Sequence, residues 1–493
     1  MNAQAEQSAW RWAVLIVLAV TLARVLVVWS TGLNLGPDEA QYWAWSKEID
    51  TGYFSKPPMI AWVIAAFTGW CGDGEACVRT ASPLLYMAAS LFVFATARVL
   101  YDSRVAFWAC VTFVTLPGVS FSSALMTTDV PLLACWSAAL YCLALLLRRV
   151  PGEARLVAAM MGLAIGLAML AKYAGAYFFL GLFIASLFDR RVRAHMLGLN
   201  GAIVVLTALA VFSPNIVWNL EHQFATVSHT AFNAGLQGKL FNIGRLFEFA
   251  GAQFGLFGPI LMGAIVAGLA MRLRTSSWTR AANDDVVLLS ISVPVILVGL
   301  SIAFLSKANA NWAAPAYVGL SIVAVAWLTR GTTLRWLQAS TAIAVVLGAG
   351  LYAAALSPRF VEAIGQTNAF KLLRAWEVQG PAIARAAREG AFDAILAEDR
   401  EDMASMLYYT RDSGVPIWMW TPDTSHPTDH FQMTRAYTGE PARILFVTRR
   451  EDTTDVTGYF ADAKEIEVSS AIIGKDRKRV FRLIELNGPM LKR

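Results

Sequence analysis

The chain has 493 residues, 57% hydrophobic and 15% charged, with a formal net charge of +6. Soluble globular domains carry about 25% charged residues, so a wholly soluble chain of this composition would expose patches that drive aggregation; disorder, which needs low hydrophobicity, is excluded too. The charge is uneven: of 41 Lys and Arg plus 35 Asp and Glu, 37 fall in residues 1–357 and 39 in the much shorter 358–493. This reads as a membrane domain over 1–357 followed by a polar domain of ordinary globular composition over 358–493.

A membrane-spanning helix needs about 20 mostly apolar residues. Windows of that kind run near 10–30, 79–100, 104–124, 129–147, 155–171, 173–188, 196–218, 247–271, 286–305, 312–329 and 333–356, predicting eleven spans. The shorter Met59–Trp70 reads as interfacial or re-entrant. Positively charged loops stay cytoplasmic. With the N-terminus inside, alternate segments hold fourteen Lys and Arg, Arg280 among them, against seven on the other side, Lys239 among them. This direction predicts that 358–493 lies outside the cytoplasm. Arg24, near the outer end of the first span, is expected to snorkel. The high pI of about 9.1 then reflects topogenic arginine. No basic stripe with interleaved aromatics suggests nucleic acid, and no Gly-rich phosphate loop suggests a nucleotide cofactor.

The outer loops carry the unusual residues. The first, 31–78, holds Asp38 and Glu39 side by side, the aromatics Tyr42, Trp43, Trp45, Tyr53 and Phe54, and then Lys56-Pro57-Pro58. Trp and Tyr in this density suit the membrane–water interface, and the prolines impose an extended backbone that aims Lys56. Asp129, in Thr127-Thr128-Asp129-Val130-Pro131, stands at a helix mouth, where capping is the plain alternative to chemistry. Lys172 is a lone cation in an apolar run and needs a partner from elsewhere or from a ligand. His222 and His229 are seven apart, a spacing that would put both on one helix face. Lys307 and Asn311 form a polar patch between two apolar helices. Acids and separated lysines on one side suit an anionic, lipid-borne substrate: lysines hold phosphate and a carboxylate takes a hydroxyl proton.

Pro37-Asp38-Glu39-Ala40, Tyr53-Phe54-Ser55-Lys56-Pro57-Pro58, Thr127-Thr128-Asp129-Val130-Pro131, Gly166–Lys172 and Asn311–Pro315 together resemble the polyprenyl-phosphate-dependent glycosyltransferases of the GT-C fold. That family includes protein O-mannosyltransferase relatives and bacterial lipid A aminoarabinose and galacturonic acid transferases. The resemblance covers about 10–330. It implies a bacterial inner-membrane enzyme that moves a sugar from a polyprenyl phosphate, undecaprenyl in a bacterium, to an envelope acceptor (lipid A, another glycan or protein) on the periplasmic face, with inversion. Asp38 matches the acid that acts as base or orients the acceptor, with Glu39 beside it. Lys56 and Lys172 match positions that hold the donor phosphate, and Asp129 a second acid of the outer cavity. Tyr42, Tyr53, His222, Lys307 and Asn311 are expected to line that cavity. His229 matches a histidine proposed to bind a divalent metal. One departure stands out: the aminoarabinose enzymes carry a glutamate before Lys-Pro-Pro, where this chain has Ser55.

Cys71 and Cys77, in the run CGDGEAC, are either bridged or free thiols; Cys110, Cys135 and Cys142 fall in spans. In the tail, AFDAILAED, VPIWMW, ARILFVT and RVFRLIEL read as strands, while Val378–Gly390 and Asp399–Arg411 read as helices, a small α/β layer. Glu398, Asp399, Glu401 and Asp402 read as a solvated helix start. The tail either covers the cavity and helps choose the acceptor or is a structural cap. The competing reading of the whole chain is a transporter or flippase for lipid-linked sugars, but no internal repeat of the transporter kind is evident.

Overall fold

The computed structural model describes residues 3–150, 153–233, 241–275, 283–330, 333–366, 368, 370–421, 426–475 and 477–490; Lys239 and Arg280 lie outside them. The chain divides into two compact units. One comprises Met1–Ser30, Lys56–Val63 and Arg79–Tyr352; the other comprises Thr31–Ser55, Ile64–Val78 and Ala353–Arg493. The first outer loop thus belongs largely with the polar tail.

The first unit is helical. Among the described residues, six helices are long and apolar enough to cross a membrane: Glu6–Ser30, Glu75–Leu100, Asp129–Leu146, Leu199–Glu221, Asp284–Leu305 and Leu334–Leu356. Four other expected spans rest on shorter apolar helices, Ser103–Thr115, Arg155–Ala171, Tyr173–Phe188 and Ala316–Leu328. The expected single span 247–271 is corrected: Ile243–Phe257 and Pro259–Arg274 meet at 114°. Gly258, at φ +96, adopts a backbone that L side chains rarely take, and Pro259 opens the next helix.

Lipid tails are as apolar as leucine, so helices here associate through close packing rather than through the hydrophobic effect. Gly162 and Gly166 form a small-xxx-small stripe. A Cβ at Gly162 would come 2.5 Å from the Val204 carbonyl oxygen, and one at Gly166 would come 2.7 Å from the Val211 Cβ. Only glycine lets Arg155–Ala171 lie this close to Leu199–Glu221. Trp136 and Phe178, ring centroids 4.9 Å apart, fill the neighbouring core. Three of the expected topogenic arginines are tied down. Asp284 pairs with Arg148 at 2.8 Å and Arg191 at 2.9 Å, and the buried Asp285 pairs with Arg272.

The second unit carries a five-stranded mixed sheet of order β2-β1-β3-β5-β4 among the described residues. β1 (Ala394–Ala397), β2 (Ile417–Met419) and β3 (Arg443–Thr448) are parallel; β4 (Phe460–Gly474) and β5 (Arg477–Pro489) add antiparallel at one side. The four strands and two helices expected in the tail form. β4 is an addition to that expectation. It is an edge strand exposed along most of its length, and its Asp462, Lys464, Glu465 and Glu467 blunt further pairing. Trp420, Tyr437, Phe446 and Phe460 pack one face of the sheet. Cys71 and Cys77 are bonded to each other.

Candidate functional site

In the helical unit, the chain leaves the helix Arg155–Ala171 at Lys172, whose extended backbone (φ −162, ψ 138) turns its side chain out of the helical path. The helix Asp129–Leu146 packs against that helix, so its first residue lies beside the other's last turn. Lys172 Nζ meets Asp129 Oδ1 at 2.7 Å, and Asn311 Nδ2 donates to Asp129 Oδ2 at 2.5 Å. The partner that Lys172 required is therefore Asp129. Capping does not explain Asp129: Thr128 is the N-cap residue, no side chain caps that end, and the carboxylate is engaged elsewhere. Its side chain is 6% exposed, against 19% for Lys172. A charge this buried is tolerated only when paired and hydrogen-bonded.

Asp129 and Asn311 line a cavity of about 290 Å³, and Lys172, held by Asp129, stands behind that lining rather than in it. Asp129, Asn311, Thr127 and Ser122 line its polar side; Tyr86, Phe113, Leu133, Leu256 and Tyr317 are among its apolar walls. One polar edge on an apolar chamber is the chemistry of a site for a charged head on a greasy tail. Lys56 is half-buried. Three residues on, Met59 packs against Leu132, Ala168 and Ala171, on the two helices that carry Asp129 and Lys172. Lys307 is exposed and does not line the cavity. Arg24 does not snorkel. It is 2% exposed, and its guanidinium donates to the Tyr352 hydroxyl, the Val114 carbonyl and Ser120 Oγ. Internal acceptors hold it, so it has no need to reach the interface.

The histidines do not share a helix face. His222 caps the helix ending at Glu221, and Gln223 and Phe224, at φ +53 and +57, break the chain before Ala225–Asn233 begins. His222 stacks on Trp218 at 4.0 Å between ring centroids, with its Nδ1 2.8 Å from the Trp218 carbonyl oxygen. His229 is half-buried on the second helix. Among the described residues no group of three or more His, Cys, Asp or Glu side chains is arranged to hold a metal. Two separated histidines, with Ser55 where a glutamate is expected, do not make a metal donor set.

In the second unit, Pro37 opens the helix Pro37–Lys47, and Glu39 Oε2 accepts from the Gly36 backbone N–H at 2.9 Å. Glu39 is buried and closes its own helix end. Asp38 projects the other way: 66% exposed, it pairs with Arg400 at 3.0 Å, and Arg400 also meets Gln41. Tyr42 is buried and tilted against Trp45. Tyr53 lies in packing rather than in an open cavity. It stacks on Trp45 at 4.5 Å, and its hydroxyl donates to the Trp45 and Glu48 carbonyls.

Arg400 was not legible as a site residue, because the four acids around it read as a solvated helix start. That reading needs correction at Asp402. Asp399 caps the helix, accepting from Glu401 N at 2.9 Å and Asp402 N at 3.0 Å, but Asp402 is buried against Arg449. Burial pushes the Asp402 carboxyl up to about 7. Trp43 Nε1 donates to Asp73 at 2.8 Å within the loop, and loop and tail are knitted together by Trp376 N donating to Asn34 Oδ1 at 2.8 Å and Leu35 N to the Tyr409 hydroxyl at 2.7 Å. Burial tends to raise the Asp73 carboxyl, but the Lys47 ammonium and Trp43 indole hold it below its ordinary value.

Known proteins are similar to this chain in sequence and fold. The family described as dolichyl-phosphate-mannose-protein mannosyltransferase matches residues 55–218. A lipid A galacturonosyltransferase, RgtD of Rhizobium johnstonii, is 35% identical over 448 residues, covering 89% of this chain and 91% of that protein. The fold is that of ArnT from Cupriavidus metallidurans. The apo form superposes with TM-score 0.64 at 18% identity over 97% of this chain and 98% of that one; the form bound to undecaprenyl phosphate gives 0.64 at 19% over 96% and 98%. An oligosaccharyltransferase of Archaeoglobus fulgidus, in complex with Zn and sulfate, gives 0.50 at 12% over 87% and 67%. A multi-span helical protein with a mixed-sheet tail, an ArnT-like fold and a full-length relative at this identity belongs to the GT-C glycosyltransferases of the protein mannosyltransferase family, enzymes that draw their sugar from a lipid phosphate.

Proposed function

We propose that this protein transfers a uronic acid, galacturonic acid in the first instance, from undecaprenyl phosphate to lipid A on the periplasmic face of a bacterial inner membrane. The observation that carries this reading is the Asp129–Lys172–Asn311 cluster, two of whose members, Asp129 and Asn311, line the 290 Å³ cavity. An apolar chamber whose polar edge holds Asp129 and Asn311, with Lys172 bonded to Asp129, suits a phosphate on a polyprenyl tail. The 35% identity to a lipid A galacturonosyltransferase supports the sugar and the acceptor, and the bound lipid of the ArnT relative supports the carrier. The excess of arginine on alternate loops supports the direction.

In the reaction, the acceptor hydroxyl attacks the anomeric carbon from the face opposite the phosphate. The new C–O bond forms as the C–O bond to phosphate breaks, and the bonding pair leaves with the polyprenyl phosphate. The configuration therefore inverts. The hydroxyl proton passes to a carboxylate, a role assigned to Asp38, the exposed acid of the pair 38–39. Lys172 and Lys56 stabilise the charge that develops on the leaving phosphate, so no general acid is needed there. Asp129 serves by holding Lys172 in place.

The test is mass spectrometry of lipid A from cells with and without the gene. A mass difference of one hexuronic acid on lipid A, present only with the gene, is expected. Unchanged lipid A, with a change in another envelope glycan or protein, would overturn the acceptor.

A further inference from the structure

The cavity wall hides a cation that its lining residues do not reveal. Arg24, on the first helix, is 2% exposed. Its Nε donates to the Tyr352 hydroxyl at 2.9 Å, and one terminal nitrogen donates to the Val114 carbonyl at 2.5 Å and Ser120 Oγ at 3.2 Å. Every acceptor is neutral. Among the described residues no carboxylate pairs with Arg24, and Nη1 is buried without a hydrogen-bond partner. A buried, unpaired charge is expensive, and charges at membrane depth tend to be retained for function.

Two features compensate in part. Val114 lies in the last turn of the helix Ser103–Thr115, whose carbonyl end carries about half a negative charge. Tyr352 also donates to the Ser120 carbonyl at 3.1 Å, bracing the segment that holds the guanidinium. About half a positive charge is left over. It sits just behind the cavity: Phe113, Val119 and Phe121, the chain neighbours of Val114 and Ser120, all line it. The Tyr86 side chain, also in the lining, lies within electrostatic range of both Arg24 and Asp129. Asp129 is the one carboxylate in the lining, and Lys172 already neutralises it.

We infer that Arg24 is a positioning residue for the donor: through the cavity wall it supplies the uncompensated positive potential that draws the anionic phosphate of the lipid carrier into this chamber. This rests on the proposed function and adds to it a residue that does not touch the ligand. The acid–base pair at the polar edge is neutral overall, so on its own it orients an anion better than it attracts one. At low effective dielectric a charge acts across several ångströms, and the apolar wall does little to screen it.

The experiment uses purified full-length protein and its Arg24→Met and Arg24→Lys variants. Thermal unfolding is measured alone, with undecaprenyl phosphate and with inorganic phosphate, alongside donor KM and kcat. Without ligand, Arg24→Met is expected to melt at the wild-type temperature or above, because an apolar isostere removes an uncompensated charge. Undecaprenyl phosphate should stabilise it less than wild type. Its donor KM should rise about tenfold with kcat little changed, and Arg24→Lys should restore most of the affinity. Inorganic phosphate should stabilise none of them; if it matches the lipid, the cavity selects free phosphate and the inference fails.

If Arg24→Met does not fold, Arg24→Gln removes the charge while keeping polar reach to Val114 and Ser120, and the same comparison applies. A variant that loses ligand-free stability yet keeps the full lipid-induced shift and an unchanged KM would show a brace for the wall and overturn the inference. So would failure of all three variants, lysine included, to fold. Wild type that undecaprenyl phosphate does not stabilise would instead overturn the donor assignment itself.

Discussion

Asp129 and Asp38 each meet a cation, in different parts of the molecule and in opposite surroundings. Asp129 is nearly sealed, with Lys172 and Asn311 on its two oxygens. Asp38 is two-thirds exposed and shares one oxygen with Arg400. Removing one partner of a buried pair strands the other charge, at about 3–5 kcal/mol. An exposed pair is worth about 0–1 kcal/mol, because water and salt screen it. The sealed pair is thus architecture that ties a cation to the one carboxylate of the cavity lining. The open one is a loosely held carboxylate, which the proposed mechanism uses by exchanging its partner for an acceptor hydroxyl. Identical residue types do different work according to how far each is from water.

The largest effect that would break this comparison belongs to Asp38. Asp38→Asn should cut kcat by about 10²- to 10⁴-fold, the usual weight of a general base, while moving the melting temperature hardly at all; full activity in that variant removes Asp38 as the base. Next, Lys172→Met should destabilise the protein by about 3–5 kcal/mol in thermal unfolding. Combining it with Asp129→Asn should recover much of that stability but none of the activity. If the single and double variants melt alike, Asp129 is not stranded and the pair is not architectural.

Smaller effects sharpen the picture. Lys56→Ala should raise donor KM by about tenfold, the weight of one charge-assisted hydrogen bond to phosphate, and leave acceptor KM alone; unchanged donor kinetics would separate Lys56 from the phosphate. Arg400→Gln should alter stability by less than about 1 kcal/mol, its effect showing in acceptor kinetics. Asp402 gives the smallest signal. Burial raises its folded pKa to about 7, so between about pH 4 and 7 the folded state holds a proton that the unfolded state has released. The stability of wild type relative to Asp402→Asn should therefore fall as pH rises through that window. A flat difference would show that Arg449 keeps Asp402 ionised.

Much of the fold was legible because apolar windows and alternating patterns report burial directly. The break at Gly258-Pro259 was legible in principle, since a Gly-Pro dipeptide inside an apolar run marks a turn; hydropathy averaged over a window passes straight across it. β4 escaped notice because its apolar residues, Ile466, Val468 and Ile472 among them, are interleaved with charges and exposed, so they trace no buried face. Asp129 and Lys172 were both recognisable as odd charges, but their pairing joins positions 43 apart and exists only once two helices pack. Glu39 and Asp38 looked alike in sequence; a single turn of helix sends one inward to close the helix end and the other outward. Arg400 was hidden among acids whose roles differ by one or two positions. Arg24 looked like a residue that would reach for the interface, because the acceptors that hold it come from segments about 90 and 330 residues away.

The most direct test is transfer by the purified protein itself, with the stereochemistry read out. The enzyme is given undecaprenyl-phosphate-linked galacturonic acid and lipid A, and the anomeric configuration of the product is determined by NMR. The account predicts transfer with the configuration opposite to that of the donor, lost in Asp38→Asn. Retained configuration, or no transfer from any polyprenyl-phosphate sugar, would contradict direct displacement of a lipid phosphate by a base-assisted hydroxyl.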